Sequence, residues 1–483
     1  MKQIGVEPNN LKQKNTFGKG NKMLKRKDVN MLSGSIVKGL LTIALPVMAA
    51  NILQSIYNIV DMTVLKIYDT DGGYSVGAVG TCGTLITLIT ALVIGVASGA
   101  NVRIARNIGR RDEVGVKKAV GTALVFSVLG GFGLMVVGVT LAEPLLKLVN
   151  CPESLLPAAV LYFRLYFVGT PILMVNNFIS AILRSTGDSR RPMMFSMLSG
   201  AIKVFLNFLF VGVFRMQVLG IALATILSWL VSFALFLRAV IKTDSIVKLD
   251  KRYLHIYMEE LKEMLYIGIP TGLQSALYSI ANVVITAEVN LLGKDATTGL
   301  SIANQFDGIL YQISTAPALA VMPYVSQNVG AKNIKRAQDS VWKGMLITIC
   351  LGATFGALSA IFSGQLSSIM SDNPEVIRYS RQKMVIVSST YFICGINEIL
   401  GGAMRGLRKP IPATVCTMIY MCAIRFPWVW FVYPLFTGVN ALTYLYLIWP
   451  IGWVLSIFTL LCFYFPTIKK IKRQQELNEK LSA

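Results

Sequence analysis

The sequence predicts an all-α integral membrane protein, with twelve transmembrane helices in two six-helix lobes related by a pseudo-two-fold along the membrane normal. Three observations lead there: a composition too apolar for water, twelve apolar stretches of spanning length, and an internal repeat. Of 483 residues, 54% are hydrophobic and 14% charged, against roughly 25% charged in a soluble protein. The mean hydropathy is +0.60. Such a chain cannot cover its own surface with polar groups, so lipid is its solvent. Disordered, collagen-like and disulfide-scaffold classes are excluded on the same grounds.

The net charge of +22 would suggest nucleic acid in a soluble chain. Here the basic residues concentrate in alternate connectors, so no nucleic-acid partner is expected. Seven cysteines lie scattered without a CxxC or a metal-ligand spacing, and His255 is the single histidine. With no metal constellation and no GxxxxGK[ST] phosphate loop, the reading is a non-enzyme without metal or cofactor that does not itself hydrolyse ATP by that route.

In chain order, residues 1–35 read as a flexible basic cytoplasmic tail, with no apolar run suited to a cleaved signal peptide. Stretches long enough for about 30 Å of hydrocarbon follow at 38–65, 77–101, 119–141, 158–182, 194–214 and 218–241. After a charged cytoplasmic connector, 242–264, come 265–292, 299–325, 341–363, 379–403, 412–433 and 442–466, then a basic tail, 467–483. This gives an N-lobe over 36–241 and a C-lobe over 265–466. Lipid-exposed backbone must pair internally, so each span is a helix, and the ten-residue alternation of a barrel is absent.

Thirty-six of the 46 basic residues fall in the tails and the even-numbered connectors. That bias places both termini in the cytoplasm. Lys203 and Arg425 lie mid-span. Arg378, Arg381 and Lys383 start span ten on the side opposite to the bias, where snorkelling at the interface is the only account the sequence offers.

The second half repeats the first. Ile43-Ala44-Leu45-Pro46 matches Ile267-Gly268-Ile269-Pro270 at an offset of 224 residues. Ala105-Arg106-Asn107-Ile108-Gly109 matches Ser326-Gln327-Asn328-Val329-Gly330, and Arg184 meets Arg405, both at 221. With an even number of spans per half, both lobes enter from one side, and a site between them is open alternately if they rock.

At these residues the chain resembles the multidrug and toxic compound extrusion (MATE) antiporters. Leu45-Pro46 through Gln54-Ser55-Ile56-Tyr57-Asn58-Ile59-Val60-Asp61 is similar to that family's first helix, and Ala78-Val79-Gly80 opens the second. Arg106-Asn107-Ile108-Gly109, Leu183-Arg184-Ser185-Thr186-Gly187-Asp188 and Met404-Arg405-Gly406-Leu407 resemble its cytoplasmic connectors. An acid fifteen residues after Pro46 resembles the bacterial DNA-damage-inducible branch. The resemblance covers about 35–466 and implies a monomeric exporter of small organic, often cationic, compounds in exchange for H⁺ or Na⁺. A flippase for lipid-linked or amphipathic metabolites in a related two-lobed fold stays open as the alternative.

Ionisable groups inside spans need a partner or a pathway. Gln54, Asn58 and Asp61 share a helix face by their i, i+4, i+7 spacing, and the resemblance implies Asp61 as the coupling acid. A solvated acid near the helix end is the bland alternative. Lys203 and Asn207 form a second face. Lys203 departs from the family pattern and is expected to pair with Asp61, or else to line a watery cleft. In the C-lobe, Asp307 and Arg425 lie at similar depth, roughly 12–13 Å from the outer ends, which predicts an ion pair between them. Gln274, Tyr278 and Asn282 form a polar stripe, Glu288 sits nearer the interface, and Pro46 and Pro270 are hinge candidates.

Overall fold

The computed structural model describes residues 29–68, 74–149, 151–436 and 441–482. Most of the expected basic tail, residues 1–28, lies outside the described residues. Residues 29–35 do not form a loose tail: Met31 is buried, and its carbonyl accepts from Asn328 Nδ2 and Arg336 Nε.

Twelve helical runs follow in order. In the first half they are α1 (Ile36–Ile67), α2 (Tyr74–Gly109), α3 (Glu113–Thr140), a broken α4 (Leu156–Val168 and Thr170–Ser185), α5 (Arg190–Asn207, continued by the π-helical Phe208–Val213) and α6 (Gln217–Ile241). The second half has α7 (Met258–Asn290), α8 (Lys294–Gly330) and α9 (Ile334–Ile361). In α10, Pro374–Lys383 passes through the π-helical Met384–Ser388 to Tyr391–Gly406. In α11, Pro410–Cys416 leads through Thr417–Ala423 (π), Arg425–Pro427 and Trp428–Val432 (π). Finally α12 comprises Ala441–Tyr446 and Ile448–Ser482, so the expected tail beyond 466 continues as helix through 482.

Eight of these helices are individually long and apolar enough to cross a membrane, and broken α4 and α10 pass when each is taken whole. The protein is a multi-pass membrane protein. Helix α8 is more polar because protein rather than lipid surrounds it: from Ile313 to Gly330 every residue but Leu319 is buried.

The repeat is visible as geometry. Asp112 caps α3 by accepting from the Gly115 N–H, and Asn333, 221 residues on, caps α9 by accepting from the Arg336 N–H. Such caps satisfy backbone donors that the helix leaves free. Short helices Ala142–Leu148 and Ser363–Ser368 follow α3 and α9 at the same offset. Helices α4 and α10 are each bent by 46°.

The halves meet through α2 against α7, α1 against α10's neighbour α8, and α2 against α8. Exchanging one with seven and two with eight leaves this pattern unchanged, as a two-fold requires. The axis passes between Gly109 and Gly330. A Cβ on Gly109 would stand 2.0 Å from the Gln327 carbonyl oxygen, and one on Gly330 would stand 2.3 Å from that of Arg106. Halfway along, Gly95 meets Gly272 so closely that a Cβ on the former would lie 2.2 Å from the latter's Cα. Only glycine allows backbones this near.

Apolar clusters fill both ends of each half. Val64, Phe163 and Ile221 belong to one, Ala100, Val120 and Phe178 to another. In the second half, Leu300, Leu445 and Trp453 pack together at one end. At the other, Leu40 and Ile43 of α1 join Val321, Leu400 and Met404. The start of α1 is therefore packed into the second lobe.

Candidate functional site

In the first lobe, Gly200 of α5 lets α1 approach. A Cβ there would lie 1.8 Å from the Tyr57 ring, whose hydroxyl donates to the Met197 carbonyl. One and two turns further along the same α5 face come Lys203 and Asn207. Lys203 Nζ donates to Asp61 Oδ2 at 2.5 Å, and Asn207 Nδ2 donates to Asp61 Oδ1 at 2.6 Å. Both carboxylate oxygens are held, and the carboxylate bridges α1 and α5. Asp61 is 8% exposed and Asn207 fully buried. Asp61 lies six residues before the end of α1, about 9 Å in. Gln54 and Asn58 are exposed instead. They make no contact with this cluster, although helical spacing puts them on its side of α1.

The second lobe differs from expectation. Asp307 does not pair with Arg425. Its partner is Lys383, Nζ to Oδ2 at 2.7 Å, with Ser388 Oγ donating to the other oxygen at 3.3 Å. Equal depth had suggested the Asp307–Arg425 pair, but depth does not fix the direction around a helix. Asp307 faces α10, whereas Arg425 faces α7. The basic trio of α10 divides: Arg378 pairs with exposed Glu375, Arg381 is exposed, and Lys383 is 3% exposed. Lys383 also donates to Asn304.

The α7 stripe stays on one face but serves two cations. Gln274 Oε1 accepts from Arg405 Nη1 at 3.2 Å, and Arg405 is 3.6 Å from Glu398. Asn282 Oδ1 accepts from Arg425 Nη1 at 2.7 Å. The Arg425 guanidinium lies 5.7 Å from the centroid of Tyr278, a ring that stacks on Tyr311, and 5.1 Å from that of Trp449. Glu288 is half-buried near the end of α7.

Sequence reasoning missed Lys383, Glu398 and the bidentate Arg103–Glu260 pair (2.7 and 2.8 Å) that ties α2 to α7. Two signals were available. Lys383 stands off the face shared by Arg378 and Arg381, and Glu398 is an ionisable group within a span.

Three of the buried polar residues share a backbone feature. Asn207 immediately precedes a π-helical segment, Lys383 precedes another, and Arg425 stands between two. A π-turn inserts a residue and redirects the side chains that follow, and such bulges recur at functional sites.

Closure is at one end. Asn51 Nδ2 donates to Gln312 Oε1 across the halves near mid-helix. Toward the ends that carry Gly109 and Gly330, Ser326 Oγ donates to the Val102 carbonyl and Gln327 Nε2 to that of Ser185, both at 2.7 Å. Arg103–Glu260 lies at that end too. With the glycine contacts, these bonds seal it.

Residues 46–209 and 270–431 each match the MatE family model, so the two matches begin on Pro46 and Pro270. The chain is 26% identical over 400 residues to "Probable multidrug resistance protein YoeA" of Bacillus subtilis, covering 81% of this chain and 86% of that protein. It is 24% identical over 401 residues to an "FAD transporter" of Shewanella oneidensis, covering 82% and 88%. A solved structure described as the outward-facing conformation of a multidrug resistance MATE family transporter of the MOP superfamily superposes with a TM-score of 0.85. It does so at 20% identity over 93% of this chain and 100% of that one. A MOP superfamily transporter from Pyrococcus furiosus, titled for the reverse polarity of its binding pocket, gives the same score, identity and coverage.

Proposed function

The chain belongs to the MatE family, and from that premise we propose that it is a secondary exporter of amphipathic, often cationic, organic compounds, coupled to proton entry through Asp61. The observation that carries this reading is the Asp61 carboxylate held by Lys203 and Asn207. A buried acid joining two helices changes their interaction when it gains a proton. Protonation removes the negative charge, releases the ammonium and gives up an acceptor position for Asn207. Helices α1 and α5 are then free to shift, and a cationic cargo loses the negative charge that retained it. Sodium fits this site poorly, because Lys203 already stands where a cation would bind. The closed end carries the basic connectors, so we assign it to the cytoplasm, with both termini there and a monomer in the bacterial inner membrane as the working unit. The closed state is then the outward-facing one, and Pro46 and Pro270 interrupt the α1 and α7 hydrogen bonding where bending is needed.

Dye efflux from proteoliposomes under an imposed ΔpH, compared with an imposed Na⁺ gradient, tests this. Efflux under ΔpH alone is expected. Efflux that follows Na⁺ and ignores ΔpH contradicts it.

A further inference from the structure

The buried charges of the second lobe do not cancel. Asp307 is matched by Lys383 and Glu398 by Arg405, which leaves Arg425. Its side chain is 1% exposed, and no carboxylate among the described residues pairs with it. Nη1 donates to Asn282, and Nη2 is buried without a well-formed hydrogen bond of its own, the Tyr278 hydroxyl being the guanidinium's other polar neighbour. An isolated guanidinium inside a membrane protein is costly, and an unsatisfied charged donor adds to that cost. Aromatic faces at Tyr278 and Trp449 offset part of it, and Trp449 also faces Lys383, whose ammonium is 5.4 Å from its ring. Two cations thus flank one indole. The α11 backbone is π-helical on both sides of Arg425, so the side chain sits at a distortion and not on a regular helix face.

We propose that Arg425 binds an oxyanion, a carboxylate or a phosphate, carried by the exported amphipath. The cargo best suited to the protein is then zwitterionic rather than simply cationic. An oxyanion fills the open valence of Nη2, neutralises the surplus charge, and accepts in the forked geometry that guanidinium favours over ammonium. The inference rests on the export function proposed above.

The test is equilibrium binding to the purified full-length protein in phosphatidylcholine nanodiscs, with no gradient. The probes are rhodamine 6G, a cationic ester, and its free carboxylic acid, which keeps the same ring system. The acid is expected to bind tighter by about tenfold or more, the worth of one charge-assisted hydrogen bond. Arg425→Gln is expected to lose that ratio, and Arg425→Lys to keep part of it. Equal or weaker binding of the acid by the unmodified protein overturns the proposal, and this arm needs no variant to fold. A preference that persists in monodisperse Arg425→Gln protein also overturns it. Nanodiscs containing phosphatidylglycerol separate the two sources of oxyanion. If the ratio persists there, the cargo supplies it. If the ratio collapses, a lipid headgroup occupies the site and the cargo assignment falls. Failure of ΔpH-driven efflux, by contrast, contradicts the export reading and leaves the binding ratio intact.

Discussion

Asn207 and Arg425 occupy corresponding positions of the two lobes, 218 residues apart like Pro192 and Pro410 at the starts of α5 and α11, and a π-helical segment follows each, Phe208–Val213 at once and Trp428–Val432 after two residues. The repeat has kept the backbone distortion while changing its chemistry. In the first lobe the residue donates to a carboxylate on α1, and in the second a guanidinium donates to Asn282 on α7. Asn282 corresponds in turn to Asn58, three residues before Asp61. Two matching backbones thus carry an ion-paired site in the first lobe and an unpaired cation in the second.

The buried pair in the second lobe gives a stability prediction. Lys383→Met leaves Asp307 without its counter-ion in a site closed to water, a change that costs about 3–5 kcal/mol. Adding Asp307→Leu removes the stranded charge, and the double variant is expected to unfold at higher temperature than Lys383→Met alone. Thermal unfolding of the purified variants checks the order.

Closure at the basic end depends on backbone approach. Gly109→Val drives side-chain carbon into the Gln327 carbonyl, and no rotamer relieves a clash with backbone. The variant is expected to favour opening there. In a background without native cysteines, Ser326→Cys is buried and should resist maleimide, and Gly109→Val should render it reactive. Equal protection with and without Gly109→Val contradicts the closed end described here.

Loosening the same end electrostatically should act in the same direction but less strongly. Glu260→Gln removes the charge from a bidentate pair whose side chains are 14% and 7% exposed. It should raise maleimide labelling of Ser326→Cys by less than Gly109→Val, since the glycine contacts remain.

The ion selectivity of the first lobe is a further expectation. Lys203→Asn removes the ammonium from Asp61 and leaves two amides beside a carboxylate, a set of oxygens that can receive a hard cation. Efflux by this variant is expected to become sensitive to Na⁺. Insensitivity to Na⁺ at every pH contradicts the view that Lys203 excludes the ion.

Much of this was legible in the sequence, for identifiable reasons. Spanning helices follow from lipid thickness and composition, and the repeat from motifs at constant offset. The Asp61–Lys203 proximity followed from two ionisable groups in spans one and five that each needed a partner, together with the family resemblance that places those helices side by side. Asp307 and Arg425 met the same criterion, yet pairing failed because π-turns in α10 and α11 redirect side chains in ways that α-helical spacing does not reveal. Lys383 looked interfacial because it follows two exposed arginines, and only the fold turns it inward. Gln54 and Asn58 share a face with Asp61 by spacing, but spacing does not say which turns of that face a neighbouring helix buries, and both are exposed.

The most direct measurement of the central claim is proton release on substrate binding. An exported dye is added to the purified protein in weakly buffered solution with a pH indicator. If proton and cargo compete through Asp61, then at a pH low enough for the ligand-free Asp61 to carry its proton the unmodified protein releases protons when the dye binds, and Asp61→Asn binds dye without releasing them. Binding with no proton release, or release that Asp61→Asn leaves unchanged, contradicts the assignment of Asp61 as the coupling acid.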